Sequence, residues 1–221
     1  MELNFGILLG FTDALATGLW TTAKLTLICI ALGCSLGFVI GLARSSGSVV
    51  VRWGAGTYVE IFRGTPVLIQ LFWVFFCLPL LTGVELSNMT SGVLTLTLYM
   101  GAITSETFRA SLKNIGREQL DACVALGLSR WTQVRNVILP QALLRAIPTL
   151  LSNCVSLFKE SSLVSAVGIA DLMYVGQNIS NNTAHPVEVL TAVAVIYFVI
   201  AYPLTRAVSR VEKRVIAKLS T

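Results

Sequence analysis

The stretch that decides the fold is Arg117–Pro140, which reads REQLDACVALGLSRWTQVRNVILP. It is polar and basic, and it lies between long apolar segments that are typical of a bilayer. Its pattern predicts two short helical pieces outside the membrane, separated at Gly127 and closed by Pro140. Because a few residues suffice to connect two membrane spans, so long a polar stretch predicts a surface that a soluble partner contacts.

The composition places the chain in a membrane. Of its 221 residues, 55% are hydrophobic and only 12% are charged, which is too apolar for an ordinary soluble domain. The net charge of +5 does not indicate nucleic-acid binding, because the basic residues are scattered between apolar segments and form no stripe. The positive charge is better explained by the orientation of the chain in its membrane.

Apolar segments outside this stretch predict an all-α membrane protein with about five transmembrane helices in one domain, residues 1–221. The predicted spans cover about residues 20–42, 65–82, 92–110, 138–158 and 187–205. The loops 83–91 and 160–186 contain no Lys or Arg, whereas most basic residues follow the first, third and fifth spans. The positive-inside rule therefore predicts an N-terminus outside and a C-terminus in the cytoplasm.

The stretch 117–140 resembles the cytoplasmic signature loop of ATP-binding-cassette (ABC) importer permeases. That loop reads Glu-Ala-Ala, three residues, Gly, nine residues, Ile, one residue, Leu-Pro. The residues at those spacings here are Asp121, Ala122, Cys123, Gly127, Val137, Leu139 and Pro140. Asp for Glu, Cys for Ala and Val for Ile are conservative in size, and the long spacing makes the match specific.

The resemblance implies a type I ABC importer permease fold with a cytoplasmic coupling helix that docks in a groove of an ATPase subunit. Small residues at Ala122, Cys123 and Ala125 would allow close approach. The residues expected to carry the coupling are Asp121, Ala122, Cys123, Ala125, Leu126, Gly127, Leu139 and Pro140.

Further segments are similar to permeases of polar amino-acid importers. They are EIFRGTPVLIQLFWVFF (Glu60–Phe76), SETFRASLKNI (Ser105–Ile115), ILPQALLRAIPTLLSN (Ile138–Asn153) and KESSLVSAVGIADL (Lys159–Leu172). Ser105 and Glu118 depart locally from the usual Ala and Gly. The similarity implies import of a polar amino acid across a bacterial inner membrane, with a mild preference for glutamate or aspartate.

The implied partners are two cytoplasmic ATP-binding subunits, a second permease, a periplasmic solute-binding protein and membrane lipid. The second permease is either another copy or a related chain. No GxxxxGK[ST] sequence occurs, so ATP and Mg²⁺ are expected on the ATPase subunits, and this chain is expected to hold no cofactor, metal or catalytic residue.

A polar cluster near the end of the fourth span is the candidate substrate pathway: Asn153, Lys159, Glu160, Ser161 and Ser162. Lys159 and Glu160 are candidates for the two charged ends of a zwitterionic amino acid, or alternatively for an interfacial salt bridge. The following segment, 161–176, is predicted either as a re-entrant helix that lines the pathway or as a surface helix.

Two other classes of protein are considered. A membrane-embedded enzyme is disfavoured, because the sequence contains neither H-E-x-x-H nor G-x-S-x-G and only one histidine. An ATP-independent carrier or channel would explain the spans, but it would leave the loop 117–140 without a role.

Overall fold

The computed structural model describes residues 4–219, with side chains to Ala217. Residues 1–3 and 220–221 of the predicted domain lie outside the described part. Throughout residues 4–219 every regular element is a helix, which confirms the predicted all-α class.

Helix α1 covers Thr12–Ala43 and follows a short 3-10 turn at Phe5–Phe11. The remaining helices are α2 (Val49–Gly64), α3 (Val67–Thr82), α4 (Asn88–Lys113), α5 (Arg117–Ala125), α6 (Arg130–Val167), α7 (Leu172–Thr183) and α8 (Pro186–Leu219). The first span is thus longer than the predicted 20–42, and α8 extends well past the predicted limit of 205.

Small residues hold α1 against α4. A Cβ atom on Gly37 would lie 2.4 Å from the Cβ of Thr104, and one on Gly33 would lie 2.6 Å from the Cβ of Met100. Both pairs are 67 positions apart in sequence, so the two helices run parallel in register. Close backbone approach through glycine is a common way for membrane helices to associate.

The predicted span 65–82 is not a separate straight crossing. Its helix, α3, is joined to α2 through Thr65 and Pro66 with a bend of 108°, so the two helices count together as at most one span. Pro66 cannot continue α2 because it lacks a backbone N–H, and Pro disfavours the helical conformation for Thr65 before it. The side-chain amide of Gln70 donates to the carbonyls of Phe62 and Thr65, and so provides hydrogen bonds that the end of α2 would otherwise lack.

Among the described residues, three helices are long and apolar enough to cross a membrane, or four if the bent pair is one span. Helix α4 is not among them, although its 26 residues measure about 39 Å. Its buried side chains include Thr95, Thr104 and Ser105. Since α4 packs against α1, α2, α3 and α6, these hydroxyls face protein rather than lipid.

Helix α6 continues without a break from Arg130 to Val167. Pro140, which was predicted to close the stretch 117–140, lies inside this helix. A π-helical turn at Val134–Ile138 precedes it, in which the Leu139 N–H donates to the Val134 carbonyl five residues back. The wider turn accommodates the ring of Pro140, which has no backbone N–H to donate. The stretch 117–140 is therefore one short helix, α5, followed by the beginning of α6.

The segment 161–176, predicted as either a re-entrant helix or a surface helix, is divided in two. Its first part, Ser161–Val167, is a 3-10 extension of α6, and its last part belongs to α7. Gly168, with a φ of 77°, separates them. The Asn88 side chain donates to the Val167 carbonyl at 2.6 Å and so attaches this turn to the start of α4.

Candidate functional site

Helix α5 ends in a specific hydrogen-bonded motif. The Gly127 N–H donates to the Val124 carbonyl at 2.9 Å, and the Leu128 N–H donates to the Cys123 carbonyl at 3.1 Å. Together with the φ of 65° at Gly127, these bonds form a Schellman cap. Gly127 thus ends the helix, as its sequence position predicts.

The end of α5 presents apolar side chains to the exterior. Val124 and Leu126 are 67% and 76% exposed, and Asp121, Ala122 and Ala125 are also exposed. Cys123 is only 4% exposed and faces the protein, so it is not one of the small residues that would contact a partner. The exposed candidates are therefore Asp121, Ala122, Ala125 and Leu126, with Val124 as an addition that the signature pattern did not single out.

Polar contacts attach α5 to the helices behind it. The guanidinium of Arg145 on α6 donates to the Asn114 carbonyl, just before α5. The side chain of Gln133 donates to the Leu128 carbonyl at 2.8 Å, just after it. Of the two remaining predicted coupling residues, Leu139 is half-buried against a small cavity that Phe38 and Phe108 also line, and Pro140 is exposed.

The predicted substrate cluster does not form one site. The Asn153 amide donates to the Thr107 hydroxyl at 3.1 Å, and Glu160 accepts from the Tyr99 hydroxyl at 3.2 Å. The hydroxyls of Ser161 and Ser162 bond back to the carbonyls of Phe158 and Lys159 on their own helix.

Lys159 lies apart from this cluster. Its side chain is exposed, and among the described residues it has no acidic partner within 4.0 Å, so the alternative of a Lys159–Glu160 salt bridge is not observed. Glu160 lies opposite Tyr99, near the middle of α4, and Asn153 lies opposite Thr107, nearer to the C-terminal end of that helix. Lys159 is therefore at mid-depth in the helical bundle rather than at its outer end.

An ion-pair cluster around Glu106 was not predicted. Arg44 and Arg109 approach its carboxylate at 2.5 Å and 2.6 Å, and Arg63 lies 3.6 Å away. Glu106 thereby joins the ends of α1, α2 and α4. The spacing of three between Glu106 and Arg109 was a local signal for one of these pairs, but the other arginines come from distant segments.

Asp171 is a second buried acid, in the turn that connects α6 to α7. It is fully buried, caps α7 by accepting from the Tyr174 N–H at 2.9 Å, and accepts from the Tyr197 hydroxyl at 3.3 Å. Burial raises the pKa of Asp171 to about 6 from an ordinary 3.8, and the hydrogen bonds only partly oppose this effect.

The chain is similar in sequence to permease proteins of amino-acid transport systems. The chain is 36% identical over 197 residues to the glutamine transport system permease protein GlnP of Escherichia coli (strain K12), covering 87% of this chain and 90% of that one. It is 31% identical over 214 residues to the arginine transport system permease protein ArtQ of Bacillus subtilis (strain 168), covering 97% and 98%.

Solved structures share the fold. The crystal structure of an amino acid ABC transporter with histidines superposes with a TM-score of 0.92 at 30% identity, covering 97% of this chain and all of that one. The MetNI methionine ABC transporter, in an inward-facing conformation, superposes with a TM-score of 0.75 at 22% identity and shows the fold alone. The predicted type I importer permease fold is thus confirmed.

The family model of binding-protein-dependent transport system inner membrane components matches residues 10–217, nearly the whole chain. The predicted resemblance to ABC importer permeases is confirmed, and the chain belongs to the family of binding-protein-dependent transport system inner membrane components.

Proposed function

We propose that this chain is the permease subunit of an ATP-driven importer of polar amino acids, and that it translocates substrate delivered by a periplasmic binding protein. The observation that carries the proposal is the exposed apolar end of α5, held rigidly by its glycine cap and by Arg145. A helix that presents Val124 and Leu126 outside the apolar spans is suited to a groove on a soluble partner.

The proposal includes the wider assembly. Two cytoplasmic ATP-binding subunits would bind ATP and Mg²⁺ and hydrolyse the nucleotide, and this subunit would be non-catalytic. A second permease, identical or related, would complete the pathway. The charge distribution of the loops supports an N-terminus outside and a C-terminus in the cytoplasm of a bacterial inner membrane.

The substrate is proposed at the level of a polar amino acid. The relatives are named for glutamine and arginine, whereas the sequence resemblance gave a mild preference for glutamate or aspartate. Of the predicted pathway residues, Glu160 remains a candidate for the substrate ammonium, because its Oε2 atom is buried without a hydrogen-bond partner. Uptake of radiolabelled glutamate, aspartate, glutamine and arginine by the reconstituted complex would rank these substrates.

Co-purification tests the docking of the ATPase. The chain is co-expressed with its candidate ATPase and sister permease, and Leu126→Asp is compared with Val84→Asp, which places the same charge on an exposed residue of the opposite loop. We expect the wild type and Val84→Asp to retain the ATPase and Leu126→Asp to lose it. If no form retains the ATPase, an ATP-independent carrier becomes the better explanation.

A further inference from the structure

An open groove runs between α6 and α8 on the side of Lys159. It has a volume of about 280 Å³, close to the lower limit of roughly 300 Å³ for small-molecule sites. Helix α6 lines it with Thr149, Ser152, Ser156 and Lys159, which share one helical face, and α8 contributes Ser209 and Glu212. The groove begins at mid-depth, at Lys159, and extends toward the cytoplasmic end of α8.

The hydroxyls on the α6 side of this groove are free. Among the described residues, no partner accepts from or donates to those of Thr149, Ser152 and Ser156. On α1 and on the α8 side of this groove, the hydroxyls of Thr22, Thr26, Thr205 and Ser209 bond instead to the carbonyl four residues back. Those of Ser91, Thr97 and Ser105 on α4 are also without a partner, but they are buried among protein atoms, whereas the groove is open. Since unsatisfied polar groups are costly in hydrocarbon, a row of free hydroxyls at this depth indicates contact with water or a polar ligand.

The opposite side of the same helix pair is apolar. A second groove, of about 410 Å³, is lined almost entirely by apolar side chains, among them Leu27, Leu151 and Phe158. Val155 and Val208 form the ridge between the two grooves. Helix α6 therefore presents an apolar face to one side and a polar, charged face to the other.

The polar groove carries one charge of each sign, at its opposite ends. Lys159 supplies an unpaired ammonium at its mid-membrane end, and Glu212 supplies a carboxylate at its cytoplasmic end. An ionisable side chain at membrane depth generally faces a cavity and serves a substrate or ion route. Glu160, which points to Tyr99 on α4, faces away from this groove.

We propose that the groove between α6 and α8 forms the cytoplasmic half of the substrate route, in which Lys159 binds the amino acid's carboxylate. The inference rests on the proposed import function and adds to it the residues along which the substrate would move. The hydroxyls of Ser156, Ser152 and Thr149 then offer successive hydrogen bonds toward the cytoplasm. Glu212 receives the ammonium group at the exit.

Cysteine labelling tests whether the groove is aqueous. Ser152→Cys and Ser156→Cys are made in a Cys77→Ser parent, which lacks the exposed native thiol, and are treated in membrane vesicles with a charged thiosulfonate. Leu151→Cys is the matched control, at the same depth but in the apolar groove. We expect the serine positions to react on the order of tenfold faster, because the reactive thiolate forms only in contact with water. Equal rates at all three positions would overturn the proposal.

Transport kinetics test the role of Lys159. Because the binding protein captures the substrate, a contact inside the permease acts on the maximal rate of uptake. We expect Lys159→Met to lower this rate by on the order of tenfold and Lys159→Arg to keep it near the wild-type value, because only the second variant retains the cation. An unchanged maximal rate in Lys159→Met would exclude carboxylate binding there. Neither the labelling rates nor the uptake kinetics involve Leu126. Failure of the groove proposal is therefore distinguished from failure of the proposed ATPase docking, which Leu126→Asp tests separately.

Discussion

At the scale of single residues, the cap of α5 depends on a backbone conformation rather than on packing. A Cβ atom on Gly127 would meet nothing within 4 Å, yet its φ of 65° disfavours any residue with a side chain. We expect Gly127→Val to destabilise the cap by about 1–2 kcal/mol and to weaken retention of the ATPase. Co-purification and thermal unfolding in detergent measure the two effects.

The matched variant is Gly127→Asn, because Asn tolerates the left-handed conformation better than other residues. It should keep both stability and ATPase retention close to those of the wild type. Equal losses in the two variants would mean that contacts of the side chain, and not the backbone conformation, decide the outcome.

Asp171 predicts a pH dependence of stability. Its pKa is raised by burial to about 6, so between about pH 4 and about pH 6 the folded state holds a proton that the unfolded state has released. Stability should therefore fall as the pH rises through this window, by on the order of 2 kcal/mol, and stay lower above it. Asp171→Asn keeps a capping side chain without the charge, so it should flatten this profile and raise the melting temperature at neutral pH.

Thermal unfolding in detergent across this pH range checks the prediction. Tyr197 is the titratable group that contacts Asp171 from α8, and Tyr197→Phe serves as a control that removes one hydrogen bond but leaves the acid in place. A wild-type profile that is as flat as that of Asp171→Asn would show that Asp171 is not the group responsible.

At the scale of helices, the close contact between α1 and α4 predicts that substitution of Gly37 destabilises the protein, whereas a glycine away from this contact tolerates substitution. In Gly37→Ala the new methyl group would lie 2.7 Å from the Gly101 carbonyl oxygen as well as against Thr104, so the helices must separate. We expect a loss of about 1–3 kcal/mol in the free energy of unfolding. Gly54→Ala, inside α2 with open space around it, should be neutral or stabilising by up to about 1 kcal/mol. Melting temperatures of the two purified variants make the comparison, and a stable Gly37→Ala would contradict the close contact.

The same helices show how far the sequence could predict the fold. The apolar runs located α1, α6 and α8, and the spacing of the signature loop located α5 and its terminal glycine. Helix α2 was missed because Arg52, Gly54 and Glu60 interrupt its apolar pattern. The π turn before Pro140 could not be predicted, since a proline is equally compatible with the start of a helix.

For the candidate site, local patterns identified the residues but not the directions of their side chains. Lys159 and Glu160 are adjacent in sequence, yet one faces α8 and the other faces α4. Cys123 fits the signature spacing, but its position on α5 turns it inward. The polar groove required the pairing of α6 with α8, which are separated in the chain by α7 and share no sequence motif.

At the scale of the whole molecule, the orientation is testable from outside the cell. Val84→Cys and Leu126→Cys, each in the Cys77→Ser parent, place exposed thiols on loops at opposite ends of the bundle. With the proposed orientation, an impermeant maleimide should label Val84→Cys on intact spheroplasts and Leu126→Cys only after the membrane is opened. The reverse pattern would invert the assignment of the two faces.

The uninterrupted course of α6 has a mechanical consequence. From Arg130, beside the exposed end of α5, to Lys159 in the bundle, the backbone forms a single rod about 44 Å long. No loop lies between these points, and only the π turn and Pro148 interrupt the regular hydrogen bonding of the helix. With the proposed orientation, a tilt imposed on this helix at its Arg130 end would swing Lys159 relative to α8, so that displacement outside the membrane would alter the width of a groove inside it.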